Sequence, residues 1–111
     1  MATFVVINVQ HQIMPDQIRA LNEMFGDDWS RLNVPADGWS AEQQIAELSE
    51  VGDATLVFAS PIPLMLMLSE RRVNGETRVF HNDKREKKEF PQKDGPAKVV
   101  FTVAETGWKI L

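Results

Sequence analysis

Histidine occurs twice in this chain, and both copies stand where an apolar strand pattern gives way to polar residues. His11 lies in Asn8-Val9-Gln10-His11-Gln12, directly after Phe4-Val5-Val6-Ile7; His81 opens His81-Asn82-Asp83, directly after Thr77-Arg78-Val79-Phe80. The carboxyl ends of strands in an open α/β sheet are where ligands bind, because side chains converge there and helix N-termini present free N–H groups. Imidazole gives or takes a proton near neutral pH, and the amides of Asn8, Gln10 and Gln12 each donate and accept. Such a set suits hydrogen bonding to bases, riboses and phosphates better than it suits a metal. Two plainer readings stand beside it: His11 caps the following helix or bonds a neighbouring loop, and His81 is a turn residue.

A third candidate is Ser60, between the apolar strand Ala54-Thr55-Leu56-Val57-Phe58-Ala59 and Pro61-Ile62-Pro63. Its hydroxyl is either a ligand contact or the N-cap of the next helix. A hydrolytic triad of Ser60, Asp83 and either histidine is conceivable, but Ser60 lacks the G-x-S-x-G elbow that exposes an activated serine. No G-x-G-x-x-G follows the first strand and no G-x-x-x-x-G-K-[ST] occurs, so the phosphate cradles of dinucleotide and nucleoside-triphosphate sites are missing. With zero cysteines there is no thiolate, disulfide or cysteine-based metal centre. The histidines lack i, i+4 helical spacing, so neither a metal nor a cofactor is expected.

Charge is unevenly spread. The net charge is −4, yet residues 1–70 hold two basic against ten acidic residues and residues 71–111 hold ten basic against six acidic. The C-terminal third can therefore face an anion, or Lys84-Arg85-Glu86-Lys87-Lys88-Glu89 can be a solvated hairpin arm of mixed charge. A sequence pI of about 5.1 argues against a duplex nucleic-acid surface. No apolar run approaches the roughly 20 residues of a membrane span, and no basic segment precedes an apolar stretch as in a signal peptide. A cytoplasmic protein with no membrane partner is expected.

The elements that must position these residues follow from periodicity. At 111 residues one domain is expected, covering 1–111. A strand over residues 3–9 leads into a helix opened by Pro15, with Ile18, Leu21, Met24 and Phe25 facing inward and Gly26 as C-cap. A short strand over 31–35 follows. Ser40 and Gln43 form a capping-box pattern, with Ile45, Leu48 and Val51 as the buried face of a second helix ending at Gly52. The strand 54–59 is apolar enough to be central. Leu64-Met65-Leu66-Met67-Leu68 begins a third helix, its methionines belonging to core or subunit interface, with Arg71 and Arg72 in its last turn and its end near Asn74-Gly75. Strand 77–80 comes next, and then an antiparallel hairpin from Lys87–Phe90 through 91–95 to Ala97–Val103. The order β-α-β-α-β-α-β implies a Rossmann-like, mainly parallel sheet with a C-terminal antiparallel β-hairpin. Its strand tips would bring Asn8, Gln10, His11 and Gln12 to Ser60, with His81, Asn82 and Asp83 alongside.

Two stretches, Asn8-Val9-Gln10-His11-Gln12-Ile13-Met14-Pro15-Asp16-Gln17 and Leu56-Val57-Phe58-Ala59-Ser60-Pro61-Ile62-Pro63, resemble the small accessory proteins of type III CRISPR systems, single-domain relatives of the CARF (CRISPR-associated Rossmann-fold) domain. The resemblance spans residues 3–72; the hairpin has no counterpart in it. It implies antiviral-defence signalling: binding of a cyclic oligoadenylate, the tetramer foremost, across a homodimer, because a two-fold ring suits a two-fold dimer. It also implies ring-nuclease cleavage without metal, in which a ribose 2′-OH attacks the adjacent phosphate. On that reading His11 is catalytic. Asn8, Gln10, Gln12, Ser60, Pro61, His81 and Asn82 bind the ligand, and Arg71, Arg72, Lys84 or Arg85 closes over it. The rivals are a protein that sequesters the messenger uncleaved and an interaction subunit with no nucleotide site.

Overall fold

The computed structural model describes residues 2–111. In chain order it contains β1 (Thr3–Asn8), α1 (Pro15–Phe25), β2 (Ser30–Val34), α2 (Ala41–Val51), β3 (Thr55–Phe58), α3 (Pro63–Glu70), β4 (Thr77–His81), β5 (Arg85–Phe90), β6 (Lys98–Val103) and β7 (Lys109–Ile110). Five strands make one sheet in the order β2-β1-β3-β4-β7, and β5-β6 form a separate two-stranded hairpin. The pairs β1/β2, β1/β3 and β3/β4 are parallel, while β7 runs antiparallel to β4. The chain moves outward from β1 to β2, then jumps back across β1 to β3. That reversal is a topological switch point, and a crevice opens at the carboxyl ends of β1 and β3.

Strand alternation divides the core into two layers. Val6, Leu56 and Phe58 point with Val34 towards Leu48 of α2 and Met65 of α3, whereas Val5 and Val57 point towards Ala20 and Leu21 of α1 and Ile110 of β7. All four β3 residues are buried, as a central parallel strand requires. Helix α1 starts at Pro15, whose missing N–H costs nothing in the first turn. The Gln17 side chain reaches back to accept from Met14 N–H at 2.9 Å. Ser40 Oγ accepts from Gln43 N–H at 3.1 Å, but the Gln43 side chain turns forward to Glu47 and the capping box is half formed.

Three sequence expectations need correction. Ile45 is 56% exposed, while Leu48 is buried and Val51 packs on the core as expected; Gln44 takes the place of Ile45 inside, because its side-chain N–H donates to Trp39 O. On α1, Ile18 and Met24 lie outside, at 36% and 45% exposure, while Gln17, Ala20 and Leu21 face in. Helix α3 stops at Glu70, short of Asn74, since the Arg72 guanidinium folds under it to donate to the carbonyls of Gly52 and Ala54 at 2.7 and 2.8 Å and of Glu76 at 3.1 Å.

The hairpin is not terminal. After β6 the chain returns to the sheet as β7, where Phe80 registers with Ile110 and His81 with Lys109. The buried side chain of Asn82 makes that return possible. Its N–H groups donate to Ala104 O and Thr106 O at 3.0 and 2.9 Å, and its carbonyl accepts from Lys84 N–H at 2.9 Å. One residue thereby ties the end of β4 to both roots of the hairpin. No helix among the described residues is long and apolar enough to cross a membrane.

Candidate functional site

At the tips of β1 and β3, Val6 O accepts from Ala59 N–H and Ser60 N–H at 2.9 and 3.2 Å, and Asn8 N–H donates to Ser60 Oγ at 2.9 Å. Ser60 is buried, and this bond is why it does not cap the following helix, whose N-cap is Ile62. The Asn8 side chain is committed to backbone: it donates to Pro35 O at 3.1 Å and accepts from Gln10 N–H at 2.9 Å, an Asx turn that bends the chain out of β1. His11 N–H then closes the turn on Asn8 O at 2.9 Å, and the Arg31 guanidinium donates to His11 O at 3.3 Å. The result presents Gln10, His11 and Gln12 as exposed side chains between the N-termini of α1 and α3.

Three adjoining cavities run along these tips and all contain Ser60 and Pro61. One of about 440 Å³ is lined by Gln10, His11, Gln12 and Gln17, with Trp108 as a wall. A second, of about 390 Å³, lies on the α2 side against His11, Asp37, Trp39 and Gln44. The third, of about 300 Å³, is mostly apolar and runs past Leu66, Phe80 and Trp108. His11 thus sits where the first two meet. Together they form a groove of hydrogen-bonding side chains and aromatic walls, and among the described residues no group of three or more His, Cys, Asp or Glu side chains can hold a metal ion.

Trp108 is the residue lining the candidate site that strand and helix patterns do not reveal. It lies just before β7, 97 residues from His11 in sequence. Asp16 in the first turn of α1 fixes it: Oδ2 accepts from both Gly107 N–H and Trp108 N–H at 2.9 Å, while Arg19 bonds Asp16 at 2.7 Å and Trp108 O at 3.1 Å. The Arg19 guanidinium and, next, the Trp108 amide hold the Asp16 carboxyl down at about 2. The indole stands edge-on to Phe80, with centroids 6.1 Å apart at 87°. Its N–H is buried without a partner. The sequence hint is slight: a tryptophan after Gly107, with an apolar isoleucine two residues further on at 110.

The other expected site residues lie elsewhere. Arg71 is the C-cap of α3, at the end of the helix away from Pro61 and beside the Arg72 plug at the strands' amino edge, so it cannot close over the groove. Asn82 is the buried clamp described above, with its side-chain donors and acceptor occupied. Arg85 donates to Asn82 O and Lys84 O at 2.7 and 3.0 Å, securing the hairpin root. His81 is turned to Asp83, 2.5 Å away, with Lys109 Nζ 3.9 Å from the same carboxylate. The imidazole first and the nearby cations next lower the Asp83 pKa. None of these four lines the three cavities. No protein-family model, curated protein or solved structure matches this chain.

Proposed function

We propose that this protein binds a cyclic oligoadenylate at the β1/β3 switch-point groove, across a homodimer of Rossmann-like, CARF-like subunits of a type III CRISPR system. The observation that carries the reading is the convergence of Gln10, His11, Gln12 and buried Ser60 between two helix N-termini. Amide side chains and helix-terminal N–H groups serve riboses, base edges and phosphates without demanding a metal, and Trp39 and Trp108 offer flat walls against which bases stack.

Cleavage on this reading is intramolecular. The ribose 2′-oxygen forms a bond to the neighbouring phosphorus, the bond from phosphorus to the 5′-oxygen breaks, and a 2′,3′-cyclic phosphate remains. His11 gives a proton to the departing 5′-oxygen, water takes the 2′-hydroxyl proton, and the groove supplies alignment. A second reading, sequestration without turnover, is favoured by the placement of His81 off the groove. That leaves His11 as the only imidazole there. Incubation with cyclic tetra-adenylate in EDTA, read by melting shift and mass spectrometry, tests both. A shift with linear product ending in a 2′,3′-cyclic phosphate establishes the nuclease, and a shift with intact ring establishes sequestration. The absence of both, with hexa-adenylate also inert, discards the ligand and leaves an interaction subunit.

A further inference from the structure

The β5–β6 hairpin has an apolar face that its own chain leaves bare. Residues alternating along a strand share a face, so Val99, Phe101 and Val103 form one stripe, with Glu89, Lys87 and Arg85 as their registered neighbours. Their exposures are 45%, 65% and 42%, whereas Glu86, Val100 and Thr102 on the other face are half-buried. Neither strand packs extensively on any element but the other. The arm gives the molecule extents of 55 × 32 × 20 Å and a radius of gyration of 16.7 Å, against about 13 Å for a compact chain of this length. A free two-stranded hairpin is marginal in water, and three neighbouring bare apolar side chains call for a cover.

Charge identifies the cover. Residues 85–103 hold five basic against three acidic groups, whereas the rest of the chain holds seven basic against thirteen acidic. Two arms would repel each other, but an arm and a body attract. The outer surface of α2 and α3 combines what the stripe requires: Ile45 on α2 and Met67 on α3 are exposed at 56% and 42%, each one helical turn from an exposed carboxylate, Glu42 and Glu70, and Val73, just past the end of α3, is exposed at 97%. We propose that the hairpin arm is a clasp that lays its Val99–Phe101–Val103 face on the α2–α3 surface of a second copy of this chain, reciprocally, giving a two-fold dimer. Single-stranded nucleic acid fits less well: the valines flanking Phe101 add protein-type apolar area and offer no stacking surface.

The test needs no nucleotide, so its failure is separate from failure of the ligand reading. Sedimentation equilibrium of the full chain is expected to show a micromolar dimer that weakens as salt rises from about 0.05 to about 0.5 M, as screening demands. Phe101→Asp, at a residue exposed enough to leave the fold intact by circular dichroism, is expected to raise the dissociation constant about 10- to 100-fold, the worth of one buried phenyl group. Lys87→Glu is expected to weaken the dimer about tenfold, and adding Glu42→Lys to that chain to restore it. A monomer throughout the micromolar range overturns the clasp, as does a dimer indifferent to Phe101→Asp. Failure of the charge exchange to restore association, or an RNA oligonucleotide bound by monomer through the same residues, does so as well.

Discussion

Asn82→Asp isolates the clamp at the root of the hairpin, because the shape is unchanged and only the donors are lost. In the native protein the amide donates twice, to Ala104 O and Thr106 O, and accepts once from Lys84 N–H. The carboxylate keeps the acceptor and points its second oxygen at two carbonyls. Two lost hydrogen bonds cost about 1–3 kcal/mol, and a buried charge facing carbonyl dipoles adds about 1–2 kcal/mol, so about 3 kcal/mol is expected. For 111 residues the unfolding entropy is about 0.23 kcal/mol/K, which places the melting temperature about 13 °C below wild type at pH 7. The sign with pH is opposite to that of an ordinary paired carboxylate. Burial beside carbonyls raises the folded-state pKa of the new acid above its unfolded value, so the variant recovers relative to wild type below the unfolded pKa and loses that recovery as pH rises through the folded one. Calorimetric melts of both proteins from pH 4 to pH 8 read this directly. A variant that melts with wild type at neutral pH while failing to bind cyclic tetra-adenylate would refute the clamp and return Asn82 to the ligand.

Other outcomes follow from contacts of the same kind. Ser60→Ala leaves the Asn8 N–H without its acceptor and is expected to lower stability by about 1–2 kcal/mol, measured by urea unfolding. Because the hydroxyl serves the strand tips, ligand affinity should fall with stability; a large loss of affinity at unchanged stability would make Ser60 a direct contact. Arg72→Met removes donors to the carbonyls of Gly52, Ala54 and Glu76 and is expected to cost about 2–4 kcal/mol, seen in the same unfolding assay. Asp16 has its folded pKa lowered to about 2, so its stabilisation is complete above the unfolded carboxyl value and fades as pH falls towards 2. Asp16→Asn should flatten that acid limb and increase Trp108 fluorescence quenching by acrylamide, and an unchanged acid limb would show that the bonds from Gly107 and Trp108 to Asp16 do not stabilise the fold.

The parallel part of the fold was legible because its signals are local. The apolar runs Phe4–Ile7 and Leu56–Phe58, and Pro15, Gly26 and Gly52 at helix ends, each declare an element without reference to the rest of the chain. Burial was less legible. Gln17 and Gln44 face inward at exposures of 6% and 8% because each finds a backbone partner, Met14 N–H and Trp39 O, and hydropathy cannot see a partner. Strand β7 is two residues long, too short for period-two alternation to register. It exists because Ile110 fills the α1 layer and Asn82 sends the chain back to β4.

The candidate site divides along the same line. The placing of Asn8, Gln10, His11, Gln12 and Ser60 at one carboxyl edge was legible because a polar cluster directly after an apolar strand marks such an edge, and the parallel order then brings two such clusters together. His81 and Asn82 fit the same pattern at β4, yet the antiparallel partner β7 occupies the tip of that strand. His81 is drawn to Asp83 and Lys109, and Asn82 turns inward to hold the hairpin. The strand that displaces them is preceded by Trp108, which closes the groove from the other side. A carboxyl-edge motif therefore predicts a site only where the strand continues into an open crevice. At β4 the returning chain converts two apparent site residues into scaffold and delivers an aromatic wall in their place.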